Sequence, residues 1–252
     1  MPSILITRPQ GQGQGLMDEL SQAGWRCVHQ PLLSIKPFTE QDGAAFHTMK
    51  QHLMNIDTYD VVISVSGNAS SLAVDMIDQY WPQMPVGIDW YAVGPSSAKD
   101  FESLGIQMQV PQGNHSEGLL KLDGLQNLTH KKVLILRGVG GREHLANTLT
   151  ERGAQVHYCE LYRRQGITFA KGELAALLSK EQIHYALLTS GEMLHQLANE
   201  LDDENLNSLH IIVPSERIAQ MAPKLNIQHI HVCDKINGQG VLNCLNAIQN
   251  QP

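Results

Sequence analysis

Short runs of apolar residues alternate along the chain with longer stretches in which apolar residues recur at helical spacing. The run at residues 4–6 leads into a glycine-rich turn, then Leu16 and Leu20 lie four positions apart, and Gly24 precedes another strand-like segment. This order predicts a strand, an amphipathic helix and a second strand. Strands that alternate with helices of about 10–15 residues are typical of parallel sheets with helices on both faces. We therefore expect an α/β fold.

An internal repeat relates distant parts of the chain. Residues 4–35 align without gaps with residues 133–164, and later strand–turn–helix segments match in the same way. Identical residues meet at Leu5, Ile6, Arg8, Gly11, Leu16, Leu20, Gly24 and Leu32. Two copies of one doubly wound unit are the economical interpretation, and one continuous sheet is the alternative. The copies can fold one after the other, or the first strand–helix–strand piece can join the sheet of the second half, and the repeat alone does not decide between these arrangements.

The bulk composition excludes several classes of protein. The 252 residues carry a formal net charge of −7, which argues against nucleic acid because that partner demands a basic face. No apolar run reaches 18 residues, so no membrane-spanning helix is expected. The N-terminus enters a strand-like run without the basic and long apolar regions of a secretory signal. We expect a cytoplasmic protein.

The turns that follow the predicted strands carry the candidate site. In doubly wound sheets, ligands bind beyond the carboxyl ends of the strands, where small residues expose backbone N–H groups and helix N-termini favour anions. The expected substrate-binding residues are Arg8, Ser66, Asn68, Gly94, Ser96, Ser97, Ser116, Arg137, Gly138, Thr189, Ser190 and Ser215. A serine or threonine at such a turn can instead serve as a helix cap, and either arginine can form a structural salt bridge.

Motifs for cofactors and metals are absent from the sequence. The glycine-rich turns do not match Gly-x-Gly-x-x-Gly, no Gly-Lys-Ser/Thr phosphate loop occurs, and no Gly-x-Ser-x-Gly nucleophile turn is present. The twelve histidines show no metal-ligand spacing, and the four cysteines form no Cys-x-x-Cys pair. We expect neither a metal nor an organic cofactor.

A series of short motifs resembles the uroporphyrinogen-III synthase family. The motifs appear in order over nearly the whole chain and are Thr7-Arg8-Pro9, Ser66-x-Asn68-Ala69, Val93-Gly94-x-x-Ser97-Ala98, Ser116-Glu117-Gly118-Leu119-Leu120, Leu136-Arg137-Gly138, Leu161-Tyr162 and Thr189-Ser190. The resemblance implies two flavodoxin-like domains joined by a two-stranded linker, with the active site in the cleft. The implied domains are residues 1–35 plus 166–252 and residues 39–161, with connector strands at 36–38 and 162–165.

The resemblance also implies a reaction. Hydroxymethylbilane, a linear tetrapyrrole, would lose water and cyclise to uroporphyrinogen III with ring D inverted, without a cofactor. Tyr162 would donate the proton to the leaving hydroxyl, since its place in the connector would aim it into the cleft; the alternative is an aromatic residue that only packs there. Two departures from the family pattern, Val213 and Glu216, leave only Ser215 as a candidate in its turn.

The implied partner is a small-molecule substrate, which the preceding pathway enzyme could supply by a transient hand-over, and the expected oligomeric state is a monomer. Two rival functions remain. A non-catalytic two-domain protein could close on an anionic ligand with the same fold and would not need Tyr162. A nucleotide-dependent enzyme is the second rival, although no phosphate-binding motif supports it.

Overall fold

The computed structural model describes residues 1–112, 116–141 and 143–250, and for Ser116 the backbone only. The strands in these ranges are β1 Ser3–Ile6, β2 Arg26–His29, β3 Leu33–Pro37, β4 Val61–Ser64, β5 Asp89–Ala92, β6 Lys132–Gly138, β7 Gln155–Gly166, β8 Ile183–Leu187, β9 His210–Val213 and β10 Ile230–Val232. The α-helices are α1 Gln14–Gln22, α2 Ala44–Met54, α3 Gly67–Tyr80, α4 Pro95–Ala98, α5 Ser116–Leu119, α6 His144–Glu151, α7 Glu173–Lys180, α8 Gly191–Glu200, α9 Asp203–Asn207, α10 Glu216–Ala219 and α11 Gly238–Gln249.

The chain divides into two compact units. Unit 1 comprises Met1–Ser34 and Gln165–Pro252, and unit 2 comprises Ile35–Arg164. Unit 1 contains a parallel sheet in the order β10-β9-β8-β1-β2. Numbered along the chain within the unit, this is the flavodoxin-like order 2-1-3-4-5. The predicted α/β class with doubly wound sheets is confirmed.

The sheet of unit 2 has the order β3-β7-β6-β4-β5. The strands from β7 to β5 are parallel to their neighbours. β3 runs antiparallel to β7, because the Phe38 N–H donates to the Leu161 carbonyl while the Ile167 N–H donates to the Leu32 carbonyl. Of the predicted connector segments, residues 36–37 end β3 and Phe38 directly follows it, while residues 162–165 lie near the end of β7.

The internal repeat is arranged differently in the two units. The repeated pieces β1–α1–β2 and β6–α6–β7 occupy the same places in their sheets. β1 lies next to β8, and β6 lies next to β4, the strand that corresponds to β8 in the repeat. In unit 1 the β1–α1–β2 piece precedes its neighbour β8 in the chain, whereas in unit 2 the equivalent piece follows its neighbour β4. The first strand–helix–strand piece therefore joins the sheet of the second half.

Each sheet is covered on both faces, as its alternating strand residues require. In unit 1, Leu5 packs into one apolar cluster with α7 and α8, while Ile4 and Ile6 pack on the other face with α1 and α11. In unit 2, Val62 and Ile63 divide between two clusters in the same way. No helix in the described ranges has both the length and the apolar character needed to cross a membrane.

Candidate active site

A cavity of about 220 Å³ opens in unit 2 at the carboxyl ends of β4 and β6. The chain leaves these neighbouring strands in opposite directions, toward β5 and toward β7, so the cavity lies at the switch point of the sheet, where doubly wound proteins bind ligands. The lining residues are Val65, Ser66, Ile135, Arg137, Gly138, Gly140, Gly141, Leu145, Ala146, Tyr158, Tyr162 and Arg164. Four of the predicted site residues, Ser66, Arg137, Gly138 and Tyr162, are among them.

Tyr162 is held against the backbone of β6. Its side chain is buried, with 3% of the residue exposed, and its hydroxyl lies 3.0 Å from Ser66 Oγ. The ring lies over Gly138, where a Cβ atom would stand 2.5 Å from Tyr162 Cζ. Only glycine leaves room for this ring, so the sequence Arg137-Gly138 and the position of Tyr162 depend on each other.

Ser66 combines two roles that the sequence left as alternatives. It is the N-cap of α3, and its Oγ accepts from the Ala69 N–H at 3.5 Å. The same oxygen meets the Tyr162 hydroxyl in the cavity. Capping and a place in the candidate site are therefore compatible, because a hydroxyl oxygen has two lone pairs and one proton to share.

A buried serine network supports the turn that carries Ser66. Ser70 Oγ lies 2.7 Å from Ser64 Oγ and donates to the Ser97 carbonyl. Ser64 and Ser70 are fully buried, and Ser97 is nearly so. Through this network the turn after β4 is hydrogen-bonded to the turn after β5, which fixes the backbone next to Ser66.

Arg137 is buried at the other side of the cavity and is bound by its own turn. Only 5% of the residue is exposed. Its Nη1 donates to Glu143 Oε1 at 3.1 Å, its Nε to the Gly138 carbonyl at 3.2 Å, and its Nη2 to the Gly140 carbonyl. Its guanidinium carbon lies 4.5 Å from the centre of the Tyr158 ring. The structure therefore contains the salt bridge that was the alternative to substrate binding.

Tyr158 and Glu143 complete this corner of the cavity. The Tyr158 hydroxyl donates to Glu143 Oε2. Burial, followed by the hydrogen bond and the negative charge of Glu143, raises the pKa of the Tyr158 phenol to about 12. The same hydrogen bond and the adjacent Arg137 hold the pKa of the Glu143 carboxyl below its usual value. At neutral pH, Glu143 is thus an anion and Tyr158 a protonated donor.

The remaining predicted residues of unit 2 lie around the neighbouring turn. Gly94 is buried and is the N-cap of α4, Ser96 is exposed, and Ser97 is buried and accepts from Ser70 through its carbonyl. Asn68 is half-buried in the first turn of α3. The side chain of Ser116 lies outside the described residues.

The predicted residues of unit 1 follow its own adjacent strands. Arg8 follows β1 and is half-buried, its carbonyl bonded to His29 Nε2 at 2.9 Å, and burial lowers the pKa of its guanidinium. Ser190 caps α8 by accepting from the Met193 N–H at 3.2 Å. Thr189 is half-buried beside it, with its hydroxyl 3.5 Å from Met193 Sδ. Ser215 is the N-cap of α10 without a side-chain capping bond. Within unit 1, Arg8 and Thr189 come after the neighbouring strands β1 and β8.

The sequence reasoning missed Tyr158, Glu143 and Arg164. The sequence placed Tyr158 and Arg164 in the same strand as Tyr162, but even spacing does not put them on one face. The register of β7 shifts between Glu160 and Tyr162, and Tyr158 and Tyr162 pack in different apolar clusters. Glu143 gave no signal, because its approach to Arg137 depends on the path of the intervening turn. Among the described residues, no cluster of three or more histidine, cysteine, aspartate or glutamate side chains is placed to hold a metal ion.

Fold and cavity together define a class: a two-unit, doubly wound α/β protein with hydroxyl and arginine side chains at a switch-point cavity. The model of the family described as uroporphyrinogen-III synthase HemD matches residues 15–243. The uroporphyrinogen-III synthase of Escherichia coli K12 is 34% identical over 252 residues, covering 96% of this chain and 99% of the relative. That of Proteus mirabilis is 37% identical over 197 residues, covering 77% and 96%.

Solved structures agree in fold. The uroporphyrinogen-III synthetase of Helicobacter pylori superposes with a TM-score of 0.62 at 15% identity, covering 98% of this chain and 100% of that one. A mutant enzyme of the same family from Thermus thermophilus gives a TM-score of 0.60 at 12% identity, with both chains covered completely. The chain belongs to the uroporphyrinogen-III synthase family.

Proposed function

We propose that this chain converts hydroxymethylbilane to uroporphyrinogen III, with loss of water and inversion of ring D, and that Tyr162 is the proton donor. The proposal rests on membership of the family and on one observation: the buried Tyr162 hydroxyl faces a cavity and is bonded to Ser66 at 3.0 Å. A phenol held in this way can act as a general acid toward a bound group.

The chemistry requires a proton and a fixed geometry. The proton from Tyr162 lets the terminal hydroxyl leave as water while the nitrogen lone pair of its pyrrole drives out the C–O bond electrons. The resulting azafulvene cation is attacked by the substituted carbon of ring D, which gives a spirocyclic pyrrolenine. That carbon has no hydrogen to lose, so its older bond to the bridging methylene breaks and leaves a second azafulvene on ring C. The free carbon of ring D attacks this methylene, and loss of the proton from that carbon restores the aromatic pyrrole. Attack by the unhindered carbon gives the type I isomer, so the protein must place the substituted carbon within reach, a task of positioning.

The size of the cavity indicates how much of the substrate it holds. Pockets that take whole drug-sized ligands measure roughly 300–1,000 Å³. A cavity of about 220 Å³ is smaller, which suits one pyrrole ring with its acetate and propionate side chains. We infer that further parts of the substrate are bound by the turns that carry Asn68, Gly94, Ser96, Ser97 and Ser116 in unit 2 and Arg8, Thr189, Ser190 and Ser215 in unit 1.

Several further expectations belong to this proposal. We propose domains of residues 1–35 plus 166–252 and residues 39–161, connected by residues 36–38 and 162–165, a monomeric state, a cytoplasmic location, and hand-over of substrate from the preceding enzyme. Size-exclusion chromatography with light scattering tests the monomer. Independence from metals and cofactors is tested by measuring turnover after addition of a chelator and after removal of small molecules on a desalting column. We expect the turnover to be unchanged in both cases.

The isomer ratio of the product is the decisive experiment. Hydroxymethylbilane is incubated with the protein or with buffer, and the oxidised porphyrins are separated into types I and III. We expect type III in excess with the protein and type I with buffer. Type I product at the buffer rate would instead support the non-catalytic anion-binding protein, which needs no proton donor.

A further inference from the structure

The corner of the cavity beside Arg137 contains a complete carboxylate-binding arrangement. Arg137 Nη1 donates to one oxygen of Glu143 at 3.1 Å, and the Tyr158 hydroxyl donates to the other. A cation and a neutral donor thus hold the two oxygens of one carboxylate from different strands, β6 and β7. Charge-assisted bonds of this kind are the strong ones in proteins.

The two partners of the ion pair differ in burial. The Arg137 side chain is 6% exposed, whereas that of Glu143 is 54% exposed. A buried guanidinium requires a counter-charge, because leaving it unpaired is costly. The carboxylate, in contrast, can rotate into water at little cost. The arginine is therefore the fixed half of the pair and the glutamate the replaceable half.

A second carboxylate cannot bind here while Glu143 stays. Two anions within a few ångströms repel each other, and Arg137 and Tyr158 each offer one donor in this direction. The lining of the cavity also contains Gly141, whose Cβ position would stand 3.1 Å from Arg137 Nη2. The absence of a side chain at Gly141 leaves the space beside the guanidinium unfilled.

We propose that Arg137 and Tyr158 form a subsite for a carboxylate side chain of the substrate, and that Glu143 is an internal competitor which this carboxylate replaces. The inference rests on the proposed function and names one of its binding groups. When the substrate carboxylate binds, Glu143 moves into solvent and Arg137 keeps a counter-charge throughout. The return of Glu143 then assists release of the polyanionic product.

A monopyrrole that carries one acetate and one propionate side chain is a suitable probe, because it matches one ring of the substrate and requires no turnover. Its dissociation constant is measured by calorimetry for the wild type, Glu143→Ala and Glu143→Gln. We expect both variants to bind the probe about fivefold more tightly, the order of effect of one partly exposed ion pair that no longer competes. Glu151→Ala is the matched control, since Glu151 is an exposed carboxylate at the end of helix α6, which Glu143 precedes as the N-cap residue.

The result that overturns the proposal is equally definite. If Glu143 serves only to orient Arg137, both variants bind the probe with unchanged or lower affinity. Tightening by the same factor in Glu151→Ala would assign the effect to net charge, and undetectable binding to every variant would remove the subsite. Each of these outcomes rejects an internal competitor.

Spectrophotometric titration of the tyrosines gives a readout that is independent of binding. Glu143→Ala removes both the hydrogen bond and the charge that help to raise the pKa of Tyr158, so a tyrosine that titrates near 12 in the wild type should titrate lower. An unchanged titration would contradict the contact itself. The isomer assay tests the proposed reaction independently of the subsite. If the wild type yields only type I product while Glu143→Ala binds the probe more tightly, the subsite is retained and the proposed reaction is rejected.

Discussion

The Tyr162 hydroxyl and Ser66 Oγ are 3.0 Å apart, although the residues belong to β7 and to the turn after β4, two strands that are separated by β6. The phenol ring spans the intervening strand by lying over Gly138. A single hydrogen bond therefore links β7 to the turn after β4 across the intervening β6, at the edge where the cavity opens, and it depends on a position without a side chain.

Replacement of the phenol should separate catalysis from binding. We expect Tyr162→Phe to lower kcat by about 10²-fold, the lower range for loss of a general acid, with little change in KM. Tyr59→Phe is the matched control, because Tyr59 is a buried tyrosine of the same unit that bonds to His52 Nδ1 at 2.7 Å and does not line the cavity. Steady-state kinetics test both; equal losses in the two variants would remove Tyr162 from the mechanism.

A methyl group on Gly138 should displace the tyrosine. In Gly138→Ala the new Cβ would stand 2.5 Å from Tyr162 Cζ, so the ring must move and Ser66 loses its partner. We expect the free energy of unfolding to fall by about 1–3 kcal/mol, as in other overpacked sites, together with kcat. Gly15→Ala in α1 is the opposite case, since nothing lies within 4 Å of its Cβ position, and it should stabilise by about 0.5–1 kcal/mol. Urea unfolding of the two variants checks the signs.

Removal of one hydroxyl from the buried serine network should destabilise the fold, because its hydrogen-bond partners stay buried. Ser70→Ala leaves the Ser97 carbonyl and Ser64 Oγ without this partner, and a buried polar group without its bond costs about 1–3 kcal/mol. Ser103→Ala, an exposed serine bonded to the Asp100 carbonyl, should change stability by less than about 0.5 kcal/mol. A loss no larger in Ser70→Ala than in Ser103→Ala, measured by denaturant unfolding, would show that the network is energetically idle.

Asp60 should make stability depend on acid pH. Its Oδ2 accepts from the Lys132 N–H at 2.8 Å and its Oδ1 from Lys131 Nζ at 3.1 Å, and these contacts, the backbone bond first, hold its pKa below the usual value. A lowered pKa stabilises the fold above the ordinary pKa of about 3.9, and this stabilisation is lost as the pH falls through the folded-state value.

Asp60→Asn should therefore be less stable than the wild type at pH 7, by less than about 1 kcal/mol because the side chain is partly exposed, and the difference should vanish near pH 2. Asp57→Asn, at an exposed position, is the control. The measurement is the unfolding midpoint in urea across this range. A difference that persists unchanged at low pH would show that ionisation of Asp60 is not its cause.

The sequence contained the fold because the repeat and the apolar spacing are local. Leu16 and Leu20 at helical spacing lie buried in α1, and Ile4, Leu5 and Ile6 alternate between the two faces of a sheet as period-two residues must. That β1–α1–β2 joins the sheet of the second half did not follow from this pattern, since the same pattern fits either connection.

The candidate site was less accessible from the sequence for a physical reason. Ser66 and Tyr162 were found because turns after strands and a motif pointed to them. The pairing of Arg137 with Glu143 was not predicted. The guanidinium is bound by Glu143 and by two carbonyls of a turn whose glycines, Gly140 and Gly141, have positive φ angles. Such a path is decided by backbone geometry, and no spacing rule reveals it.

The insertion of unit 2 into unit 1 has a consequence for biosynthesis. β1 lies between β2 and β8, and Ile4 of β1 pairs with Tyr185 of β8, which the ribosome adds much later. Residues 35–164, by contrast, form one uninterrupted stretch. Because domains fold as units while the ribosome elongates the chain, the central stretch can complete its sheet first, while the leading strand–helix–strand piece waits, exposed, for its neighbour. A chain that is released after residue 164 would thus hold one finished unit and one open sheet edge.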